Sequence, residues 1–394
     1  MKILVICQYY YPEPFRISNI CEELVKLGNI VTVITGYPNY PMGEIYPEYR
    51  NRQKKVEIIN GVKVYRCYTI GRKKGKVRRV LNYYSFVYSS IFFVSKIRDR
   101  FDVVFINQLS PVMMARAGIK YKKKYNTKLI LYCLDLWPES LTVSGIKKNS
   151  IIYKYYHKVS AKIYRQADKI IVSSQSFKKY FFDEFSISSD SLVYLPQYAE
   201  ELFDPGKCKK QSNNMIDLMF AGNVGIMQSV DTIIHVAYKT IDIKNLKWHI
   251  VGDGSELAKC KILAKKLGVN SVIFYGRKSL KEMPSYYSMA DAMILTMKDD
   301  PTLSMTLPGK LQSYMASGKT IIGAINGEAK KVIEESKCGI CVSAQDIDGL
   351  TNLVRKFASN KDSYFECGAY SRKYYEKNYS KKIFINRLIS YLNI

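Results

Sequence analysis

The sequence predicts two successive α/β domains, each a mostly parallel, doubly wound sheet. Three observations carry this. Short β-branched runs alternate with helix-spaced segments through the first half. The pattern breaks at Leu195-Pro196-Gln197-Tyr198 and a polar stretch to Asn214, then restarts. At 394 residues and 47% hydrophobic content, the chain is long and apolar enough for two cores.

Lys2–Cys7 reads as the first strand; its apolar run is too short for a signal peptide. In Ser18–Leu27, residues Ile20, Cys21, Leu24 and Leu27 share one helical face, and Gly28 ends the helix. Ile30–Thr35, Val62–Tyr68, Asp102–Ile106, Lys128–Cys133 and Lys169–Ser173 continue as strands. The second half offers Asp217–Ala221, Lys247–Val251, Ser271–Phe274, Ala292–Thr296, Thr320–Gly323 and Gly339–Val342. The expected domains are 1–198 and 199–377. The terminal helix, about 378–394, either packs back on the first domain or covers the second.

The net charge is +27, of which residues 1–200 hold +18 and residues 201–394 hold +9. Such an excess points to an anionic partner: nucleic acid, anionic lipid or a phosphorylated ligand. No nucleic-acid reading module is recognisable, so no nucleic-acid partner is expected. The nine cysteines form no Cys-x-x-Cys pair, and His157, His235 and His249 lie far apart, so no metal centre is expected. No apolar stretch approaches the ~18 residues of a membrane span, and the expected location is cytoplasmic.

Open doubly wound sheets bind ligands beyond the carboxyl ends of their strands. In the second half those positions carry Gly222-Asn223-Val224-Gly225, Gly252-Asp253-Gly254-Ser255, Gly276-Arg277-Lys278 and Lys298-Asp299-Asp300-Pro301. Glycines let amides approach a phosphate, and cations neutralise it. Leu307-Pro308-Gly309-Lys310 then opens a helix ended by Gly318. A lysine in a first turn opposes the helix dipole unless it shares an anion with the amides. The first half differs. Its loops carry Tyr9-Tyr10-Tyr11-Pro12-Glu13-Pro14-Phe15-Arg16 and Leu134-Asp135-Leu136-Trp137-Pro138-Glu139-Ser140, carboxylates beside rings that suit sugar hydroxyls. The first loop lacks the Gly-x-Gly-x-x-Gly of dinucleotide enzymes. A basic run, Arg72–Arg79, precedes the aromatic segment Leu81–Val94, and Tyr153–Arg165 mixes the same residue types. Such a mixture suits an anionic membrane surface.

These segments resemble the family 4 retaining glycosyltransferases of GT-B fold. The nearest branch is the bacterial one that builds O-antigen and capsule, including the N-acetyl-L-fucosamine transferases. The resemblance rests on Asp135–Leu141, Phe220–Gly225 with Gln228, and Leu307–Ala316. It implies two facing Rossmann-like domains with a deep cleft between them. It also implies a hexosyltransferase that moves a sugar, an N-acetylated deoxyhexosamine, from a UDP-sugar to a polyprenyl-diphosphate-linked oligosaccharide. Configuration is retained, no metal or other cofactor is needed, and the enzyme sits peripherally on the inner face of the bacterial plasma membrane. Lys310, Arg277, Asp135 and Glu13 become the catalytic candidates. Gly222, Asn223, Gly225, Gln228, Gly252, Asp253, Gly276, Leu307, Pro308 and Ser313 are expected to hold the donor, and Arg16, Trp137 and Glu139 the acceptor. Met305 and Ser313 stand where the family often has two glutamates, and Asn223 and Gln228 where many members have an Arg and a Lys. The diphosphate charge therefore falls to Arg277 and Lys310. The alternative is a UDP-sugar 2-epimerase of similar architecture.

Overall fold

A computed structural model describes residues 1–73, 75–143, 145–210 and 213–393. The chain divides into two compact units, Met1–Leu195 with Ile385–Ile394, and Pro196–Phe384. No helix among the described residues is long and apolar enough to cross a membrane.

The first unit holds an eight-stranded sheet. Its strands are β1 (Lys2–Ile6), β2 (Ile30–Gly36), β3 (Val56–Ile59), β4 (Val62–Cys67), β5 (Val103–Gln108), β6 (Lys128–Cys133), β7 (Lys169–Val172) and β8 (Leu192–Tyr194). Their spatial order is β3-β4-β2-β1-β5-β6-β7-β8, parallel except for the β3–β4 hairpin. Ile3 to Ile6 are wholly buried, as expected for a strand covered on both faces. Helices Ile17–Lys26, Lys76–Lys96, Arg116–Tyr125, Ile151–Tyr164 and Gln175–Phe185 supply the crossovers. β3 and β8 were not among the strands read from sequence. β3 is a four-residue hairpin arm at one edge, interrupted by Glu57 and half-exposed, and β8 has three residues at the other, so neither makes the long apolar run that marks a central strand.

The second unit is a six-stranded, wholly parallel sheet in the order β11-β10-β9-β12-β13-β14. The strands are β9 (Ile216–Ala221), β10 (Leu246–Val251), β11 (Val272–Gly276), β12 (Ala292–Thr296), β13 (Thr320–Ala324) and β14 (Gly339–Val342). Side chains alternate across it. Leu218 and Phe220 join Trp248 and Ile250 in one core, while Met219 and Ala221 join Leu311 and Tyr314 in the other. Because all six strands run the same way, their carboxyl ends share one edge. Asp346 of the one Asp-x-Asp pair caps helix Ile347–Ser359 by accepting the Gly349 amide at 2.8 Å, and Asp348 pairs with Lys239 at 2.5 Å.

Candidate active site

The edge of the second unit is assembled by backbone before side chains matter. Gly222, Gly252 and Gly276 follow one another at the ends of β9, β10 and β11, all with positive φ (149°, 145° and 68°). The Gly222 amide donates to Val251 O at 2.9 Å, and the Gly252 amide to Gly276 O at 2.8 Å. A β-carbon on Gly252 would stand 1.8 Å from Gly222 O, so only glycine permits this approach. Further along these loops, the Val224 amide donates to Asp253 O and the Glu256 amide to Val224 O, both at 3.0 Å. Gln228 Oε1 accepts from Asn223 Nδ2 at 3.0 Å and from the Gly225 amide at 3.2 Å. The loop after β12 joins them, since Thr296 Oγ1 donates to Gln228 O at 2.7 Å and the Lys298 amide to Met227 O at 2.9 Å.

Helix Gly309–Ala316 completes the edge, with Pro308 as its N-cap and Leu307 buried before it. Tyr314 Oη fastens the helix to the end of β9, bonding both the amide and the carbonyl of Ala221 at 3.0 Å. One turn earlier on the same face, Lys310 reaches Gly222. Its Cε and Nζ lie 3.5 and 3.6 Å from where a Gly222 β-carbon would stand. The ammonium sits 4.0 Å above the centroid of the Phe220 ring. Its stem is half-buried, but Nζ itself is sealed from solvent and has no hydrogen-bond acceptor. Burial alone pushes its pKa down to about 7. Buried charges are normally paired. This one has a ring face and the glycine backbone of the post-β9 loop instead.

The other expected donor residues divide. Asn223 and Arg277 are exposed at the edge, as is Asp253, whose Oδ1 accepts the Gly254 amide at 2.8 Å. Ser313 turns inward, donating to Lys310 O at 2.9 Å and meeting Tyr287 Oη at 3.1 Å, so it braces the helix rather than facing a ligand. By contrast Lys319, at the end of the same motif, is buried against Ala290 O at 2.7 Å and ties the strand entrance.

In the first unit the carboxylates of the edge are held from within. Glu13 is buried, and its carboxylate accepts amides from Asn39 and Tyr40 at 2.8 Å and from Tyr10 at 3.3 Å. Burial, partly offset by those amides, pushes its pKa up to about 7. Glu13 thus joins the loops after β1 and β2 instead of pointing at a sugar. Behind it runs a network absent from the sequence reading. Gln8 Nε2 donates to Asn82 Oδ1 at 2.9 Å, and Asn82 Nδ2 donates to Ile70 O at 2.6 Å and Asn39 Oδ1 at 3.3 Å. The signal available was a lone Asn82 inside an aromatic helix. Asp135 accepts from Ser110 Oγ, and burial raises its pKa. Glu139 is fully buried, held by Tyr153 Oη at 2.6 Å and Lys148 Nζ at 3.0 Å, so it anchors its segment and offers no oxygen outward. Trp137 is buried edge-on against Tyr156, with its indole N–H unpartnered; Arg16 is half-buried at the N-cap of helix Ile17–Lys26.

This arrangement has known counterparts. Residues 16–197 match the family "Glycosyltransferase Family 4" and residues 207–374 match "Glycosyl transferases group 1". The chain is built from the two domains of a GT-B glycosyltransferase. It is similar to the Pseudomonas aeruginosa protein named Probable glycosyltransferase WbjE, at 23% identity over 73% of each chain. It is also similar to an uncharacterized 41.2 kDa protein in the cps region of Klebsiella pneumoniae, at 22% identity over 67% of this chain and 75% of that one. Among solved structures it superposes on Anabaena Alr3699/HepE, crystallised with UDP and glucose, with a TM-score of 0.71 at 12% identity over 100% of this chain and 99% of that one. It is similar as well to the Bacillus subtilis protein named Putative teichuronic acid biosynthesis glycosyltransferase TuaH, at 24% identity over 50% of this chain and 51% of that one, and none of these matches supports the epimerase alternative.

Proposed function

We propose that this glycosyltransferase moves a sugar from a UDP-sugar to a polyprenyl-diphosphate-linked oligosaccharide, with retention, during capsule or O-antigen synthesis. The observation that carries the reading is Lys310: a sealed ammonium without an acceptor, beside a loop that only glycine can form. A nucleotide diphosphate supplies the missing anion. The C1–O bond to the diphosphate breaks as an acceptor hydroxyl oxygen bonds to C1 and gives up its proton; negative charge gathers on the UDP leaving group, and positive charge develops on the sugar ring. Lys310, exposed Arg277 and the amides around Gly222, Asn223 and Gly225 meet that leaving-group charge, with no metal assigned a part. Gln228 and Asp253 shape the loop, and Leu307 and Pro308 set the helix entrance.

HepE, crystallised with UDP, supports the choice of nucleotide, and the capsule-region relative supports the pathway class. The N-acetyl-L-fucosamine transferases remain the model for the sugar, an N-acetylated deoxyhexosamine. On the acceptor side, Asp135 is the carboxylate closest to free use, and Glu13 and Glu139 hold the frame around it. A lipid-linked acceptor places the enzyme peripherally at the inner face of the plasma membrane.

The test is a panel of UDP-sugars incubated with a polyprenyl-linked acceptor, followed by product mass. Gain of one sugar residue with release of UDP is expected. Conversion of a UDP-sugar without any acceptor would instead favour an epimerase.

A further inference from the structure

Two helices far apart in sequence meet in the first unit. Tyr84 Oη of helix Lys76–Lys96 lies 2.9 Å from Tyr156 Oη of helix Ile151–Tyr164. From that joint the rings continue outward: Tyr84 stacks on Tyr88 at 6.0 Å, and Tyr156 meets Tyr155 edge-on at 5.2 Å. Around it, large apolar side chains face solvent: Val77 (74% exposed), Tyr88 and Phe92 (63% each) from one helix, Ile151 (87%) and Tyr155 (57%) from the other. Apolar surface gathered in one place marks an interaction site.

The two helices and the segments flanking them carry charge of one sign, and Glu184 of helix Gln175–Phe185 stands beside them, 3.2 Å from His157. From Gly71 to Arg98 there are eight Lys or Arg and no Asp or Glu; from Ser140 to Gln166 there are six and none. Lys74 of the first run lies outside the described residues. Arg78, Arg79, Lys154 and Lys158 are exposed, and Lys96 sits 4.1 Å above the Phe92 ring.

We propose that the paired helices Lys76–Lys96 and Ile151–Tyr164 form one membrane-docking face, taking the surface of an anionic lipid bilayer. The choice of a bilayer rests on the mixture. Apolar and aromatic tips insert at the headgroup boundary, and unbalanced cations meet lipid phosphates. The proposal rests on the reading of a lipid-linked acceptor, and it adds the surface that reads the membrane.

The full chain is spun with vesicles of phosphatidylcholine alone and of phosphatidylcholine with phosphatidylglycerol. Adsorption to the mixed vesicles only is expected. Each interfacial cation is worth about fivefold in partitioning, so R78E with R79E should lower it at least about 25-fold. F92S with I151S and Y155S should lower it more than about tenfold. UDP affinity should stay unchanged in both variants, which shows that they fold. Equal adsorption to neutral vesicles, wild-type adsorption by both variants, or a chain that stays in solution with either vesicle overturns the proposal. If instead adsorption holds but UDP does not bind, the donor reading fails and this face stands.

Discussion

The two strand-end edges are built on opposite principles. In the second unit, glycine backbones pack against each other, and the buried ammonium of Lys310 lies over the Phe220 ring without a hydrogen-bond acceptor among the described residues. In the first unit, the expected ligand carboxylates are consumed internally: Glu13 by three amides, Glu139 by a tyrosine and a lysine. An edge that leaves a buried ammonium without an acceptor suits an anionic ligand. An edge that satisfies its own charges provides shape, and Asp135 is the carboxylate there that remains half-exposed.

That contrast can be broken at several points. Lys310→Ala should cut turnover by about 10²–10³-fold, the scale of losing one stabiliser of developing charge, with the far-UV circular dichroism unchanged. Near-normal transfer would remove Lys310 from the chemistry. Gly252→Ala comes next. Its methyl group would overlap Gly222 O and hold an unfavourable φ, so the β9 and β10 loops must separate. Strain of about 1–3 kcal/mol should appear as UDP affinity weakened about fivefold or more in a titration. Glu13→Ala should behave differently: two buried amides and the part-buried one of Tyr40 lose their acceptor, costing about 1–3 kcal/mol of stability in urea unfolding, with UDP affinity unchanged. A shift in UDP affinity there would show that the two edges are not separable. Smallest is Ser313→Ala, which removes a bracing hydroxyl and should cost about 1 kcal/mol in the same unfolding experiment without altering UDP binding.

Much of the second edge was legible in the sequence. A parallel sheet puts every post-strand loop on one side, so Gly222, Gly252, Gly276 and Lys310 could be grouped from spacing alone. What could not be read was the state of the lysine, which depends on the Phe220 ring beneath it and on Tyr314 clamping its helix to Ala221. In the first unit, motif reading took Glu13 and Glu139 as ligand contacts because carboxylates beside rings have that chemistry. The amides of Asn39 and Tyr40 that capture Glu13 arrive from another loop, and no local pattern announces them. The same holds for the strands. Central ones have long apolar runs, whereas β3 and β8 are defined by the neighbours they pair with.

The claim that Lys310 waits for the donor's diphosphate is tested most directly by UDP titration across pH. In the free protein its pKa is pushed down to about 7 by burial, and a bound diphosphate restores the ammonium. Binding above pH 7 therefore takes up a proton. UDP affinity should fall as pH rises from about 7 to 9, by up to about tenfold per unit. The Lys310→Met variant should bind weakly with a flatter profile. Wild type and variant with the same affinity and the same pH dependence would contradict the account.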